Sequence, residues 1–266
     1  MMKGKSNSFK ALAGFAGVGI YATTVYVSYH IYKLSNLPSP IPNCHLPENQ
    51  SISEKIYTDL ANTYDDSVTW DERLMLLKSK RKQLTNLAKG HVLETSAGTG
   101  RNLDFFKPEI IASLTISDSS QQMLQNALIK FRPLREAFDK LDISVDFKLM
   151  DSENLLYKDS TFDTVLDTFG LCSHQDPVKA LTEMKRTCKE NGKILLLEHG
   201  RSSYSWLNNA LDKTALSHAL KWGCWWNRDI EDLIRQAGLT VERIDRYHFG
   251  TTYMIVASPN KTTKAA

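Results

Sequence analysis

The sequence predicts an α/β protein with a doubly wound, mainly parallel seven-stranded sheet, preceded by one transmembrane helix. Short apolar runs alternate with helical stretches along most of the chain, which is typical of a parallel sheet with helices on both faces. The last two apolar runs have no helical stretch between them, so we expect an antiparallel C-terminal hairpin. Near the N-terminus, residues 11–31 contain no Asp, Glu, Lys or Arg.

The N-terminal segment has the length of a membrane anchor. A helix of 21 residues spans roughly 30 Å, which is the thickness of a hydrocarbon core. Lys10 and Lys33 flank the apolar run, and the lysine excess before it favours a cytosolic or matrix position for the short N-terminus. A cleaved signal peptide, a buried core helix and a matrix presequence are the alternatives, although a presequence is usually Arg-rich and the first arginine here is Arg73. We therefore divide the chain into a basic N-terminus (1–10), a transmembrane anchor (11–33), a Pro-rich linker (34–52), an α/β domain (53–258) and a tail (259–266).

Charge and cysteine content exclude several classes of protein. Of the 33 basic and 30 acidic residues, residues 1–50 hold four lysines and one glutamate, which leaves 29 of each sign in the body. A neutral body argues against a nucleic-acid binder held by phosphate contacts. The four cysteines share no CxxC spacing, and no His/Cys/Asp/Glu group has metal-ligand spacing, so the sequence predicts no metal site.

The elements follow from apolar periodicity. Helices are predicted over 53–61, 71–88, 120–132 and 177–189, and a further helix near Trp206 that ends around Gly223. Strands are predicted at 91–93, 114–116, 143–149, 164–166, 194–197, 241–244 and 253–257.

The turn after the first strand carries the chemistry. Gly98 and Gly100 let the backbone turn sharply and approach a ligand, and Asp118 closes the second strand about twenty residues later, where an acidic group can bind ribose hydroxyls. No Gly-Lys-Ser/Thr follows the glycines, so the loop is no Walker A. A negative Glu94 beside the loop disfavours a pyrophosphate and favours a cationic ligand such as S-adenosylmethionine.

The motifs in order resemble class I S-adenosylmethionine-dependent methyltransferases with a Rossmann-like fold. Glu94 to Gly100, Asp118-Ser119, Asp151-Ser152-Glu153 and the stretch from Asn191 to Glu198 carry this resemblance. The last of them is similar to quinone C-methyltransferases. Three motifs look most like those of fungal, membrane-anchored mitochondrial methyltransferase-like proteins: Glu94 to Asn102, Leu197 to Ser202, and Trp222 to Asp229. Methyltransferase-like proteins that methylate small thiols are more distant.

One position departs from the family pattern. Ser96 replaces the first glycine of the E-x-G-x-G-x-G motif, and we expect serine to be tolerated if its φ is negative.

The resemblance implies a set of binding residues. Asp118 is implied to contact the ribose of the cofactor, but it could instead cap a helix. Asp151 is implied to contact the adenine, but it could instead be a turn residue. Tyr64 would lie over the cofactor or pack in the core. The other implied cofactor contacts are Glu94, Ala97, Gly98 and Gly100 at the glycine turn, Asp118 and Ser119 at the ribose, and Asp151, Ser152 and Met123 at the adenine.

Two histidines at strand ends are candidate general bases. His199 follows the fifth strand and His174 the fourth, and an imidazole can accept a proton near neutral pH. A structural role in orienting the loop is the alternative for His199. The segment from Trp206 to Trp226 holds four of the five tryptophans. It forms either a lid, which lines an apolar acceptor pocket or touches the membrane, or a helix packed on the sheet with an aromatic core.

The resemblance implies a membrane enzyme that methylates a small or lipid-like acceptor. Its expected location is a mitochondrial membrane, the inner one in the first instance, with the endoplasmic reticulum as the alternative. A different function is also open: an assembly factor that retains the fold with little turnover.

Overall fold

In the computed structural model, the described residues are 52–259 together with Val25 and Tyr29. Residues 52–259 contain one seven-stranded sheet. Its strands are β1 Gly90–Thr95, β2 Ile111–Asp118, β3 Ser144–Leu149, β4 Phe162–Thr168, β5 Cys188–His199, β6 Thr240–Tyr247 and β7 Thr252–Ser258. The α-helices of the same range are α1 Ile52–Leu60, α2 Tyr64–Leu74, α3 Leu77–Thr85, α4 Gln121–Phe131, α5 Arg135–Asp139, α6 Pro177–Thr187, α7 Ser205–Trp222 and α8 Ile230–Gln236.

The strands lie in the order β3-β2-β1-β4-β5-β7-β6. The first five are parallel, and β7 runs antiparallel to both β5 and β6. The predicted mainly parallel sheet and its C-terminal hairpin are therefore confirmed. Strand order reverses between β1 and β4, and ligands of such sheets bind in the crevice at this switch point, outside the carboxyl ends of the strands.

Two apolar layers cover the sheet. One side packs α6 and α8 through fully buried side chains such as Leu181 and Ile230. The other side packs α3 and α4 through Leu84, Ala127 and Phe131. The inner strand β5 is buried on both faces, with no exposure from Ile194 to Leu197, which is why its sequence is a continuous apolar run.

The predicted helix over 71–88 is wrong, because the chain breaks there into α2 and α3. Leu76 has a φ of +52°, which no right-handed helix adopts. Leu74 and Leu87 stand at helical spacing with Leu77 and Leu84 in the sequence, but they are 76% and 43% exposed. Only Leu77 and Leu84 of that pattern are buried, so the core-facing helix is shorter than the periodicity indicates.

Among the other helices, one predicted end is confirmed and two helices were not predicted. Helix α7 ends at Gly223 as expected, with a φ of +68° and a hydrogen bond from its N–H to Ala219 O of 2.8 Å. Helices α5 and α8 were not predicted. Both are short, and short helices present too few turns for a clear 3.6-residue period.

The predicted anchor, residues 11–33, lies outside the described residues except for Val25 and Tyr29. The segments 1–10 and 34–51 and most of the tail at 259–266 also lie outside them, whereas Ile52, the last residue of the predicted linker, begins α1. Among the residues that are described, no helix has both the length and the apolar character that a membrane span requires.

Candidate functional site

A cavity of about 390 Å³ lies at the carboxyl edge of the sheet, around the switch point between β1 and β4. This volume is within the range of about 300–1,000 Å³ that is usual for ligand pockets. Of the predicted residues, it brings together Tyr64, Ala97, Gly98, Asp118, Ser119, Met123, Asp151 and His174. The lining does not include Glu94, Gly100, Ser152 or His199.

The two glycines of the β1 turn have different surroundings. Gly98 has a φ of +58°, and a Cβ placed on it would meet no atom within 4 Å. Gly100 has a φ of +76°, and a Cβ there would lie 2.5 Å from Leu103 Cδ1 and 3.0 Å from Ala127 Cβ. Gly98 therefore leaves free space beside the backbone for a ligand, whereas Gly100 lets the turn pack against α4.

Ser96 corrects one expectation. Its φ is +49°, in the left-handed region that favours glycine, and so the condition we set for tolerating serine is not met. Its Oγ lies 3.1 Å from Ser152 Oγ and 3.3 Å from His174 Nε2. These two hydrogen bonds offset part of the backbone strain and link the β1 turn to the loops after β3 and β4.

Asp118 is fixed at the end of β2 by the backbone. Its Oδ2 accepts the N–H of Gly98 at 2.7 Å and its Oδ1 accepts the N–H of Ser120 at 2.8 Å. Burial raises the pKa of this carboxyl, while these hydrogen bonds and the charge of His174 lower it in part. Each oxygen has a further lone pair, so the carboxylate can also accept from a diol in the cavity.

The predicted adenine end lies around the loop after β3. Asp151 is exposed and its Oδ1 accepts the N–H of Glu153 at 2.8 Å, so it is at once a turn residue and part of the cavity lining. Met123 is 1% exposed on α4 and lines the cavity beside Asp118. Leu149, at the end of β3, adds an apolar wall.

Glu94 lies beneath the glycine turn. It is fully buried, and its Oε1 accepts a hydrogen bond of 2.7 Å from Asn102 Nδ2. Burial raises the pKa of Glu94 to about 8, so the carboxyl is mainly neutral at pH 7. The negative charge that we expected beside the loop is therefore largely absent at that pH.

His174 forms a buried pair with Asp167. The His174 Nε2 lies 3.8 Å from Asp167 Oδ2, and Asp167 is fully buried at the end of β4. Burial lowers the pKa of His174, but the neighbouring Asp167 carboxylate outweighs this and raises it overall. A Cβ at Gly170 would lie 2.3 Å from Asp167 Oδ1, so glycine is required above this carboxylate.

His199 lies behind the cavity wall. Its ring centroid is 5.5 Å from that of Phe169, which lines the cavity, and its Nε2 is 2.8 Å from Cys224 Sγ. Cys172 completes this group, and the three ligand-type atoms lie within 4.8 Å of one another. Residues without metal-ligand spacing in the sequence therefore meet in the fold.

Helix α2 closes one side of the cavity through ion pairs. Arg101, just after the glycine turn, pairs with Asp65 at 2.8 Å and Glu72 at 2.7 Å. Glu72 also pairs with Arg81 of α3 at 2.8 Å. This network ties α2, whose first residue Tyr64 lines the cavity, to α3 and to the segment after the glycine turn.

Sequence reasoning missed several residues of the lining. Arg81 is buried and donates to Thr168 Oγ1 at 2.8 Å, although it lies among lysines on a helix that looks solvent-exposed. Tyr57 reaches from α1 to Ser173, with 2.7 Å between the two hydroxyl oxygens. No local pattern in the sequence marks these positions.

The tryptophan-rich segment does not form the expected helix packed on the sheet with an aromatic core, because Trp206 is 57% exposed. Helix α7 packs against α1, and none of its residues lines the cavity. Trp226 stacks on His218 at a centroid distance of 3.9 Å and donates to Leu211 O at 3.2 Å.

The residues present fit S-adenosylmethionine. The open space at Gly98, the fixed carboxylate of Asp118 and the apolar surfaces of Met123 and Leu149 suit a backbone-contacted amino acid, a ribose and an adenine in turn.

Comparison with known proteins points to the same family. A family model described as a methyltransferase domain matches residues 70–244. The mitochondrial methyltransferase OMS1 of Saccharomyces cerevisiae is 38% identical over 76% of this chain and 45% of its own length. The ubiquinone/menaquinone biosynthesis C-methyltransferase UbiE of Bdellovibrio bacteriovorus is 29% identical over 59% of this chain and 65% of its own.

A solved structure shares the fold. A Thermotoga maritima protein, described as a SAM-dependent methyltransferase and possible histamine N-methyltransferase, superposes with a TM-score of 0.55 and 21% identity, over 78% of this chain and 100% of that one. The chain spans about half the length of the curated relatives it matches. The matched domain and the fold together show that the chain belongs to the family of S-adenosylmethionine-dependent methyltransferases, whose cofactor is S-adenosylmethionine.

Proposed function

We propose that this protein transfers a methyl group from S-adenosylmethionine to a small or lipophilic acceptor at a mitochondrial membrane. The observation that carries the proposal is the pairing of Gly98 with Asp118 at the switch point of the sheet. When bound, the cofactor supplies a methyl group activated by a sulfonium.

Different residues of the cavity lining contact different parts of the cofactor. Asp118 accepts from the ribose hydroxyls, and Met123 with Leu149 provides apolar contact for the adenine. The backbone at Ala97 and Gly98 approaches the amino-acid end. Tyr64, held by the ion pairs of α2, covers the site and limits the entry of water.

His174 is the candidate base of the transfer. It lines the cavity, whereas His199 lies behind Phe169 and has its Nε2 against Cys224. The Asp167 carboxylate lies within ion-pair distance of the imidazole and stabilises its protonated form. His174 therefore takes a proton from the methyl acceptor, and Asp167 orients the imidazole and compensates the positive charge that it gains.

The relatives and the N-terminal sequence support the proposed acceptor and location. Relatives named for quinone biosynthesis and for phosphatidylethanolamine methylation favour a lipophilic acceptor. The relative named as mitochondrial favours that organelle. An anchor at residues 11–33 would raise the concentration of a membrane-dissolved acceptor near the cavity.

Calorimetric titration of the full chain with S-adenosylmethionine and S-adenosylhomocysteine tests the proposal. We expect micromolar affinity, followed by S-adenosylhomocysteine release when a short-chain quinol, an aliphatic thiol or phosphatidylethanolamine is offered. A folded protein that binds neither cofactor form contradicts the proposal. Tight binding with no turnover on any of the three acceptors would favour the assembly factor instead.

A further inference from the structure

Three side chains from separate segments converge behind the cavity wall. Cys172 lies in the loop after β4, His199 ends β5, and Cys224 follows α7. Their Sγ, Nε2 and Sγ atoms all lie within 4.8 Å of one another, and the His199 Nε2 to Cys224 Sγ distance is 2.8 Å. Both cysteines are buried, at 1% and 4% exposure, and neither forms a disulfide.

Two thiolates and an imidazole are a donor set that zinc prefers. Zn–S bonds of about 2.3 Å and Zn–N bonds of about 2.0–2.1 Å place the ligand atoms of a tetrahedral site about 3.5–3.8 Å apart. The His199 to Cys224 separation of 2.8 Å is shorter than this range and the other two separations are at most 4.8 Å, so adjustments of about 1 Å or less bring all three atoms to bonding distance. Such shifts need only small side-chain rotations.

The backbone already holds the three segments together. The N–H of Trp225 donates to Cys172 O at 2.8 Å, which ties the loop after α7 to the loop after β4. His218 Nδ1 lies 2.9 Å from Cys224 O. Gly223 turns the chain inward with a φ of +68°. The ligands of a metal would thus be in place before it binds.

We propose that Cys172, His199 and Cys224 bind a zinc ion. Three protein ligands leave a fourth position for water or another donor, as in zinc sites with an open coordination position. The ion would fasten the loop after α7 to the carboxyl edge of the sheet. Ser173, whose Oγ is 3.4 Å from Cys172 Sγ, lines the cavity, so the ion would also brace the cavity wall.

This inference goes beyond the methyl transfer proposed above, because zinc binding requires neither cofactor nor acceptor. Its test therefore uses the metal alone. The full chain, freed of metal with a chelator, is titrated with Co²⁺, which reports thiolate ligation by charge-transfer absorption, and then with Zn²⁺, which displaces it. Zinc content is also measured on protein purified without chelator.

The variants Cys172→Ser and Cys224→Ser remove one ligand each. Cys188→Ser is the matched control, because Cys188 is equally buried but lies outside the group. We expect one zinc per chain in the wild type and in the control. Loss of an outer hydrogen-bond partner of a metal ligand costs about 10–100-fold in affinity, so loss of a ligand itself should exceed about 100-fold.

Two results overturn the proposal. One is that the folded wild-type protein gives no thiolate–cobalt absorption and holds no zinc. This result needs no variant. The other is a Cys172→Ser, Cys224→Ser double variant that binds Zn²⁺ as tightly as the wild type. Circular dichroism of each variant verifies folding, and S-adenosylmethionine titration, done separately, keeps a failure of the cofactor site distinct from a failure of the zinc site.

Discussion

The Oδ2 atom of Asp118 accepts the backbone N–H of Gly98 at 2.7 Å, so the end of β2 is tied directly to the turn after β1. The carboxylate is held at the point where a ligand would meet both strand ends. Two consequences can be measured: one concerns the carboxylate and the other the glycine.

Replacing Asp118 with alanine should weaken S-adenosylmethionine binding. Hydrogen bonds to charged groups contribute about 1.5–3 kcal/mol, so we expect a loss of roughly tenfold to a hundredfold in affinity by calorimetry. Asp139→Ala, on an exposed residue of α5, is the control and should bind normally. Because Asp118 also accepts two backbone N–H groups, Asp118→Asn serves as a milder second variant. Unchanged affinity in both would remove Asp118 from the ribose site.

The two glycines of the β1 turn should separate binding from stability. Gly98→Ala adds a methyl group in open space at positive φ and should cost about 1–2 kcal/mol of unfolding free energy, while its methyl group intrudes on the cofactor. Gly100→Ala meets Leu103 and Ala127 and should cost about 2–3 kcal/mol or more. Urea unfolding and cofactor titration of both variants give the comparison. Equal effects of the two substitutions on binding and on stability would contradict this assignment.

Glu94 should make stability depend on pH. Its pKa of about 8 in the folded protein lies above the usual 4.5, so the folded state keeps a proton that the unfolded state loses between those values. The contribution of protonated Glu94 to the stability of the wild-type folded state is therefore complete below about pH 4.5, and it is lost as the pH rises towards 8. Glu94→Gln lacks this loss.

The measurement for Glu94 is urea unfolding at pH 5, 6.5 and 8 without cofactor. The stability of Glu94→Gln relative to wild type should increase with pH, by an amount on the order of a few kcal/mol. Glu109→Gln, on an exposed side chain, should show no such trend. A constant difference between Glu94→Gln and wild type across this range would show that Glu94 is ionised when buried.

His174→Asn should slow methyl transfer and leave cofactor affinity within about twofold, since the imidazole acts on the acceptor's proton and contributes about 10²–10⁴-fold to such steps. Asp167→Asn should lower kcat with little change in KM, because it acts through His174. Release of S-adenosylhomocysteine with the quinol, thiol and lipid acceptors is the measurement. Undiminished turnover in His174→Asn would show that His174 is not the base of the methyl transfer.

The order of strands and helices and the position of the glycine turn were predictable from the sequence. Apolar runs, glycines and the spacing to Asp118 are local features, and each reflects a backbone period or a turn that neighbouring residues determine. The sequence also indicated the antiparallel hairpin, because β6 and β7 follow each other with no helix between them. The break at Leu76 was not predicted, because the leucine spacing continues through it, whereas the ion pairs of Glu72 are made with Arg81 and Arg101 beyond the break.

What the sequence alone determined is therefore the family, the order of the strands along the chain and eight of the 23 residues that line the cavity. The tertiary structure alone decided which polar groups are paired: it buried Glu94 against Asn102, placed His174 against Asp167, and brought Cys172, His199 and Cys224 together. The physical reason is that burial and pairing depend on residues far apart in the chain. Parallel strands deliver their following loops to one edge of the sheet, and only the packing there selects which side chains meet.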